Sequence, residues 1–269
     1  MFKKQFEDEL RMLAKQSLDE AMVRFGSVRK DIKLAAALRN ASIQTPIPGY
    51  PILDEEFFKV DEFIALMVDM RDSTKHLLEL RSGDNICKFE RLFYETSTLL
   101  PVLARCVAEK NGNVTEYLGD GLLALFHAPL TSNHQVENEI IYSSYRAAKY
   151  CIEAVRTIIN PILKDIVDIP PLSIGIGIAY SSAIVSVVGL KDGLRVPKVI
   201  GECVYRASKL SKEVNEIMVD DVLYGLWPKE KDGQLRFKEK QCGRIKGYMV
   251  SSKPSLTKAL PTNKIASRR

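Results

Sequence analysis

Two aspartates stand where a carboxylate can do chemistry. Asp69 ends the apolar run Phe63-Ile-Ala-Leu-Met-Val68 and leads into Met70-Arg-Asp-Ser-Thr74, while Asp120 sits between two glycines in Leu118-Gly-Asp-Gly121. Hard divalent cations such as Mg²⁺ prefer oxygen ligands and often take only one or two protein carboxylates, with substrate phosphates supplying the rest. Gly119 and Gly121 let the backbone come close to a bulky polyphosphate. Taken singly, Asp69 also reads as a helix N-cap and Asp120 as a plain turn residue. Together, at the ends of elements that one sheet can bring side by side, they point to a metal-assisted reaction on a phosphorylated substrate. The turn from Met70 to Thr74 can offer N–H groups to phosphates, and Arg71 is either a phosphate contact or an exposed surface charge.

The elements that must hold these residues fit one large domain with extensions, since the chain has 269 residues. Apolar residues make up 46% and charged residues 27%, enough apolar material for a real core. The formal charge of +5 equals the cations of the tail (Lys253, Lys258, Lys264, Arg268, Arg269), which carries no acid, so residues 1–252 are neutral. A neutral body offers no nucleic-acid-binding face, and the tail reads as a solvated end. The charged N-terminus lacks the apolar core of a signal peptide, and no apolar run reaches the ~18–20 residues of a membrane span. Five widely spaced cysteines without a C-x-x-C pair read as reduced thiols of a cytoplasmic protein, and His76, His127 and His134 show no ligand spacing.

Residues 1–45 read as a helical N-terminal extension. Phe2, Phe6, Leu10, Leu13, Leu18, Met22 and Phe25 form a stripe that packs onto the same chain or a sister chain, and a second short helix runs to about Asn40. Gln44 to Pro51 is a Pro/Gly linker, and the main domain spans 46–252, with 253–269 as the basic tail. Within the domain, Phe63 to Val68 reads as a buried strand and Asp84 to Lys110 as a long helix stopped by Asn111-Gly-Asn113. Val114 to Leu118 and Leu122 to Phe126 read as a hairpin, and Gln135 to Ile159 as a second helix. Leu172 to Ala179 and Ala183 to Val188 read as a strand pair, Lys198 to Ile200 as extended, and Glu202 to Val214 as a helix. Short strands follow near 234–237 and 245–250. The order predicts an α+β fold, a ferredoxin-like palm with a mixed sheet and helices on one face.

On these motifs the chain resembles the class III nucleotide cyclases. Phe63-Ile-Ala-Leu-Met-Val-Asp-Met-Arg-Asp-Ser-Thr74 resembles their first metal motif, and Glu116-Tyr-Leu-Gly-Asp-Gly121 their second. Val199-Ile-Gly-Glu-Cys-Val-Tyr-Arg-Ala-Ser-Lys-Leu210 resembles the helix that carries base-reading and transition-state residues. The resemblance runs over about residues 60–250. It implies a homodimer with composite sites, two Mg²⁺ or Mn²⁺ ions per site held by Asp69, Asp120 and the Met70 carbonyl, and a nucleoside triphosphate attacked by its own 3′-hydroxyl to give a 3′,5′-cyclic monophosphate and pyrophosphate.

Departures from the family pattern concern the base. Where adenylate cyclases carry Lys four residues before the second metal Asp, this chain has Glu116, and where they carry a base-reading Asp before the third motif it has Lys198. The family's Asn and Arg on the following helix correspond to Tyr205 and Lys209, with Arg206 as an adjacent basic substitute. Glu116 can accept the N3–H of uracil while Lys198 donates to a carbonyl oxygen, and the same Glu can accept from guanine; both can also be surface charges. Altered readers on an intact metal core resemble the pyrimidine cyclases of bacterial anti-phage (Pycsar) systems, whose cyclic product from UTP or CTP activates a separate effector. There an aromatic residue ahead of the first strand narrows the base pocket, and Tyr50 stands in that place, although it also reads as packing of the linker. The expectation is a pyrimidine cyclase, UTP ahead of CTP. A guanylate cyclase and a catalytically silent nucleotide-binding dimer are the alternatives. A diguanylate cyclase is set aside because its Gly-Gly-Asp/Glu-Glu-Phe signature is missing.

Overall fold

The computed structural model describes residues 3–27, 42–54, 57–78, 87–130, 136–189, 194–229 and 233–252. Helix α1 (Lys4–Ser27) precedes a small antiparallel pair, β1 (Ser42–Gln44) and β2 (Ile52–Asp54), in an arm that leads into the main sheet. The domain then runs β3 (Phe58–Met70), α2 (Ser73–Leu78), α3 (Lys88–Ala108), β4 (Asn113–Leu118), β5 (Gly121–His127), α4 (Asn138–Ala154), α5 (Asn160–Val167) and β6 (Ile174–Gly189). It ends with β7 (Arg195–Gly201), α6 (Glu202–Leu210), β8 (Ile217–Asp220), α7 (Asp221–Leu226), β9 (Leu235–Cys242) and β10 (Ile245–Ser252). The strands lie in the order β4-β5-β3-β6-β8-β10-β9, with β7 paired to the far half of β6. The first four of these, with α3 and α4, make the ferredoxin-like β-α-β-β-α-β unit, and β6 and β8 are the parallel pair in a mixed sheet.

The apolar run of β3 shows why this strand is central. Ile64, Leu66, Val68 and Met70 face a core shared with α1, α3 and α4. Phe63, Ala65 and Met67 face a second core with Leu123, Leu125, Cys203 and Ala207. A strand buried on both faces needs no alternation of apolar and polar residues, which is how its sequence reads. The helices are therefore not confined to one face, as the sequence order suggests: α6 and the arm cover the opposite side of the sheet. Ile47, Tyr50 and Leu53 of the arm are the residues that fill that second core.

Other expectations need correction. Residues 172–179 and 183–188 are not a strand pair but parts of one 16-residue strand, β6. Ser181 and Ser182, which look like turn residues, stay in register opposite Phe63 and Glu62. Their hydroxyls are engaged sideways, Ser182 donating to Glu62 and Ser181 accepting the Cys203 N–H. The helix expected to reach Val214 stops at Leu210, and β8, unforeseen from sequence, begins at Ile217. Here Gly177 packs against the Ala207 carbonyl and Gly175 against that of Ser211, so close that a Cβ on either would be about 2 Å away. The second long helix passes through a π-helical turn, Val155–Ile159, and ends at Asp168 in the left-handed region, φ 53°.

The N-terminal stripe packs on its own chain. Phe6, Leu10, Ala14 and Leu18 are buried with α3, and the Arg105 guanidinium pairs with Glu9 at 2.6 Å. The expected second helix to Asn40, the helix start at Asp84 and the 253–269 tail lie outside the described residues. No helix among the described residues is long and apolar enough to cross a membrane. Because Leu10 is fully buried, Leu10→Ala should destabilise the protein by about 2–5 kcal/mol in a urea titration, as a deletion from a shared core does. An unchanged midpoint would show α1 to be an appendage.

Candidate active site

The end of β3 and the tip of the β4–β5 hairpin are held together by backbone contact. Leu118 pairs with Gly121 across a two-residue connection whose first residue, Gly119, has φ 70° and whose second is Asp120. A Cβ on Gly121 would lie 2.4 Å from the Val68 carbonyl and 3.3 Å from the Asp69 Cα. Only glycine lets the hairpin come this near, and the approach carries Asp120 to the edge where β3 delivers Asp69. Beyond Asp69 the Arg71 N–H donates to the Ser173 carbonyl (2.8 Å), and Asp72, φ 61°, turns the chain into α2.

Asp69 is neutralised locally. Its carboxylate forms an ion pair with Arg71, the side chains being 37% and 17% exposed. The same guanidinium donates to the Lys212 carbonyl at 3.2 Å. Met70 buries its side chain in the core, leaving only its backbone for a ligand. Among the described residues no cluster of three or more His, Cys, Asp or Glu could enclose a metal. The donor set expected here is two carboxylates and a carbonyl, hard oxygens too few to satisfy an ion alone. That suits Mg²⁺ or Mn²⁺ bound jointly with phosphates. Arg71 already stands beside Asp69, so a cation bound there would have to displace its guanidinium.

Glu116 and Lys198 meet. The Lys198 Nζ lies 2.5 Å from the Glu116 carboxylate, with both side chains partly exposed. A register shift between Val114 and Glu116 on β4 marks a bulge, a device that re-aims a side chain. Lys198 arrives on β7, whose Val199 packs in the second core with Leu123 and Leu125. Around this pair Tyr117, Leu118, Val196 and Ile200 are exposed.

The remaining expected residues lie in separate surroundings. Tyr205 is exposed on α6, with Lys209 one turn later and its Nζ 5.4 Å from the ring centroid. Arg206 is engaged by carboxylates: Glu202 at 2.7 Å, Asp221, and Asp220 at 3.6 Å. Asp220 is fully buried and caps α7 by accepting the Leu223 N–H, while its second oxygen has no hydrogen-bond partner among the described residues. Burial pushes its pKa up to about 7 against the opposing pull of that N–H and Arg206. Tyr50 is buried, packed on Phe57, Phe63 and His127, and its hydroxyl donates to Asp61. The structure therefore pairs Asp69 with Arg71 and Glu116 with Lys198 and sets the Asp120 turn beside the end of β3, while Tyr50 ties the arm to the sheet.

Two clusters escaped the sequence reading. Asp61 accepts from Tyr50, from the Glu62 N–H and from His127 at 3.0 Å; these bonds outweigh burial and hold its pKa at about 2. Glu95, fully buried in α3, lies 3.0 Å from both the His76 ring and Arg91. Neither histidine has metal spacing, so neither stood out. The available signal was polar residues, Arg91 and Glu95, at helical spacing on a buried face.

No protein-family model matches the chain, and no curated protein matches it in sequence. Solved structures do. The guanylyl cyclase Cya2 aligns at 17% identity and TM-score 0.58, over 74% of this chain and 96% of that one. The adenylyl cyclase CyaB from P. aeruginosa aligns at 18% and 0.57, over 74% and 98%. A dimeric guanylyl cyclase domain from the fungus Blastocladiella emersonii aligns at 13% and 0.51, over 73% and 98%. The chain has the fold of the class III nucleotide cyclase catalytic domains. Within that cyclase fold the α1 helix is an N-terminal addition to the β-α-β-β-α-β unit. The neighbours include both adenylyl and guanylyl enzymes, so the fold leaves the base open.

Two measurements probe this geometry. Gly121→Ala should force hairpin and strand apart, costing about 1–3 kcal/mol of stability and weakening Mn²⁺ binding; an unaffected Mn²⁺ titration would deny the contact its positioning role. Asp220 binds its proton more tightly folded than unfolded, so wild-type stability should fall as pH rises from about 4 through about 7. Asp220→Asn keeps the cap, and its stability relative to wild type should grow across that window; a pH-independent difference would refute the assignment.

Proposed function

We propose that this chain is a metal-dependent nucleotide cyclase that converts a pyrimidine nucleoside triphosphate, UTP in preference to CTP, to its 3′,5′-cyclic monophosphate and pyrophosphate. The observation that supports the reading is the approach of Gly121 to the end of β3, which sets the Asp120 turn beside Asp69, on a fold whose solved neighbours are cyclases. Asp69, Asp120 and the Met70 carbonyl would hold the cations. Bound there, Mg²⁺ or Mn²⁺ supplies Lewis acidity to the 3′-hydroxyl and charge to the transferring phosphoryl group. Arg71, the present partner of Asp69, would be free to contact the phosphates once a cation neutralised that carboxylate. Lys209, near Tyr205 on the exposed side of α6, offers positive charge to the phosphoryl group from the partner's side of a composite site.

The base reading follows from order as well as type. In the family pattern a lysine donor precedes and an aspartate acceptor follows, whereas here an acceptor, Glu116, stands first and a donor, Lys198, second. Uracil presents an N3–H beside a carbonyl, matching acceptor then donor. Adenine and cytosine present the reverse at that edge. Guanine also offers N–H beside a carbonyl, so a guanylate cyclase is the second reading. Apolar Tyr117, Leu118, Val196 and Ile200 around the pair form a surface for a second copy, which supports a homodimer. The product is read by a separate effector, as in the anti-phage pyrimidine cyclases that the motifs resemble. Tyr50 supports this pocket indirectly, by fixing the arm beside β3.

Incubation with each of ATP, GTP, CTP and UTP with Mn²⁺, followed by product chromatography, tests the proposal. Cyclic UMP is expected. Cyclic GMP would hand Glu116 to guanine, and no cyclic product would leave a nucleotide-binding scaffold. Asp69→Asn or Asp120→Asn should abolish turnover with the fold intact, and wild-type rates in either would end the metal reading. The double exchange Glu116→Lys with Lys198→Asp should shift preference toward ATP by about 10–100-fold, the worth of one or two charge-assisted hydrogen bonds. An unmoved preference would remove the pair from base reading.

A further inference from the structure

Asp69 and Met70 lead into a turn that is held at its entry and at its exit. At the entry the Arg71 N–H donates to the Ser173 carbonyl at 2.8 Å. At the exit Asp72 adopts φ 61°, and the His76 N–H closes onto the Asp72 carbonyl at 2.9 Å. A positive φ is uncommon outside glycine and persists where the surroundings impose it. The helix that follows, α2 (Ser73–Leu78), has six residues, too few to keep its shape alone in water. Of its side chains that the structure describes, at 73–76, none is buried. Helix α2 therefore depends on bonds to its neighbours, and the His76 ring makes one of them.

That ring reaches a carboxylate inside α3. Glu95 is fully buried, its Oε1 accepting the Arg91 Nε–H at 3.0 Å and its Oε2 lying 3.0 Å from the His76 Nδ1. Arg91 stands one turn earlier on the same helix, so it balances the acid and leaves the other oxygen aimed at α2. An ionised carboxylate only accepts, so the ring carries a proton on Nδ1. Hydrogen bonds to a charged partner are among the stronger ones, and this one joins elements 19 residues apart in sequence. We infer that His76 is a positioning residue for the cation site: its bond to Glu95 pins α2 to α3, and α2 fixes the turn that presents the Asp69 carboxylate and the Met70 carbonyl. Asp69 is 37% exposed, so close packing does not aim it, and the backbone on either side has to. Groups behind a metal's ligands commonly set the direction of those ligands, and here the direction is passed through one turn of chain. The inference rests on the metal reading of Asp69 given above.

The test needs no turnover. Free Mn²⁺ is followed by its EPR signal while the full chain is titrated. His76→Ala should weaken Mn²⁺ binding about tenfold, the low end of what groups behind metal ligands contribute. His76→Asn, whose side-chain N–H can stand where Nδ1–H stood, should recover most of that loss. Hydrogen exchange measured without metal should quicken over 69–76 in His76→Ala and stay at the wild-type rate in the β3–β5 ladder. Wild-type Mn²⁺ affinity in His76→Ala overturns the inference, and so does His76→Asn binding as weakly as His76→Ala. Exchange that quickens throughout α3 and the sheet overturns it as well, because His76 would then hold the core and not the turn. If the wild-type chain binds no Mn²⁺, the metal reading falls, and the inference falls with it.

Discussion

The approach of Gly121 to the carbonyl of Val68 is the contact on which the candidate site depends. It is a backbone contact, so no side-chain choice nearby can substitute for it. The two carboxylates that matter most lie on elements about fifty residues apart in sequence, and neither makes a bond to the other that would hold them together. Their nearness is a by-product of the β3–β5 ladder, which runs in register from Phe63 opposite His127 to Val68 opposite Leu122. That ladder is secured by the two cores on either face of β3, so burial of Ile64, Leu66 and Val68 on one side and Phe63, Ala65 and Met67 on the other sets where the carboxylates sit. Packing energy spent in the sheet is converted into electrostatic geometry at its edge.

Charge at that edge is balanced in pairs. Asp69 has Arg71, Glu116 has Lys198, Arg206 has Glu202, Asp220 and Asp221. Exposed ion pairs add little to stability, about 0–1 kcal/mol, because water screens them and the side chains lose freedom. Their value lies elsewhere: a paired charge is held in position yet can be released when a ligand offers a better partner. The Arg206 group is different, since Asp220 is buried, its second oxygen lies 3.6 Å from Arg206 without a hydrogen bond among the described residues, and burial pushes its pKa up to about 7. That cluster secures the junction of α6 with α7, and two of the charges expected at the site, Tyr205's neighbour Arg206 and Lys209, differ sharply in how far they are free to act.

Much of this was legible in the sequence because the relevant signals are local. An apolar run ending in Asp, a Gly-Asp-Gly hairpin and the alternation of helices and strands reveal the β-α-β-β-α-β unit and put Asp69 and Asp120 on one edge. What was not legible depends on long-range register. The Ser181-Ser182 pair has turn composition, yet β3 continues opposite it and Glu62 takes up a serine hydroxyl, so the strand runs on. The end of α6 at Leu210 is set by glycines 175 and 177 on β6, more than thirty residues earlier, where the helix backbone rests directly on the strand. The Tyr50–Asp61–His127 network and the His76–Glu95–Arg91 group each join residues on different elements, and neither contains a spacing that a single segment could display.

Those two hidden networks share a logic that the visible motifs lack. Each places a carboxylate among donors at the boundary of a segment flanking the site: Asp61 fastens the arm before β3, and Glu95 fastens α2 after it. The strand bearing Asp69 is therefore restrained at both ends by hydrogen-bonded acids, while Asp69 itself is left partly exposed beside the Arg71 counter-ion. On the proposed metal reading, a carboxylate that exchanges an arginine for a cation cannot also be tied down by a network, because every added donor would compete with the cation. Rigidity is supplied by neighbours, and Asp69 stays partly exposed.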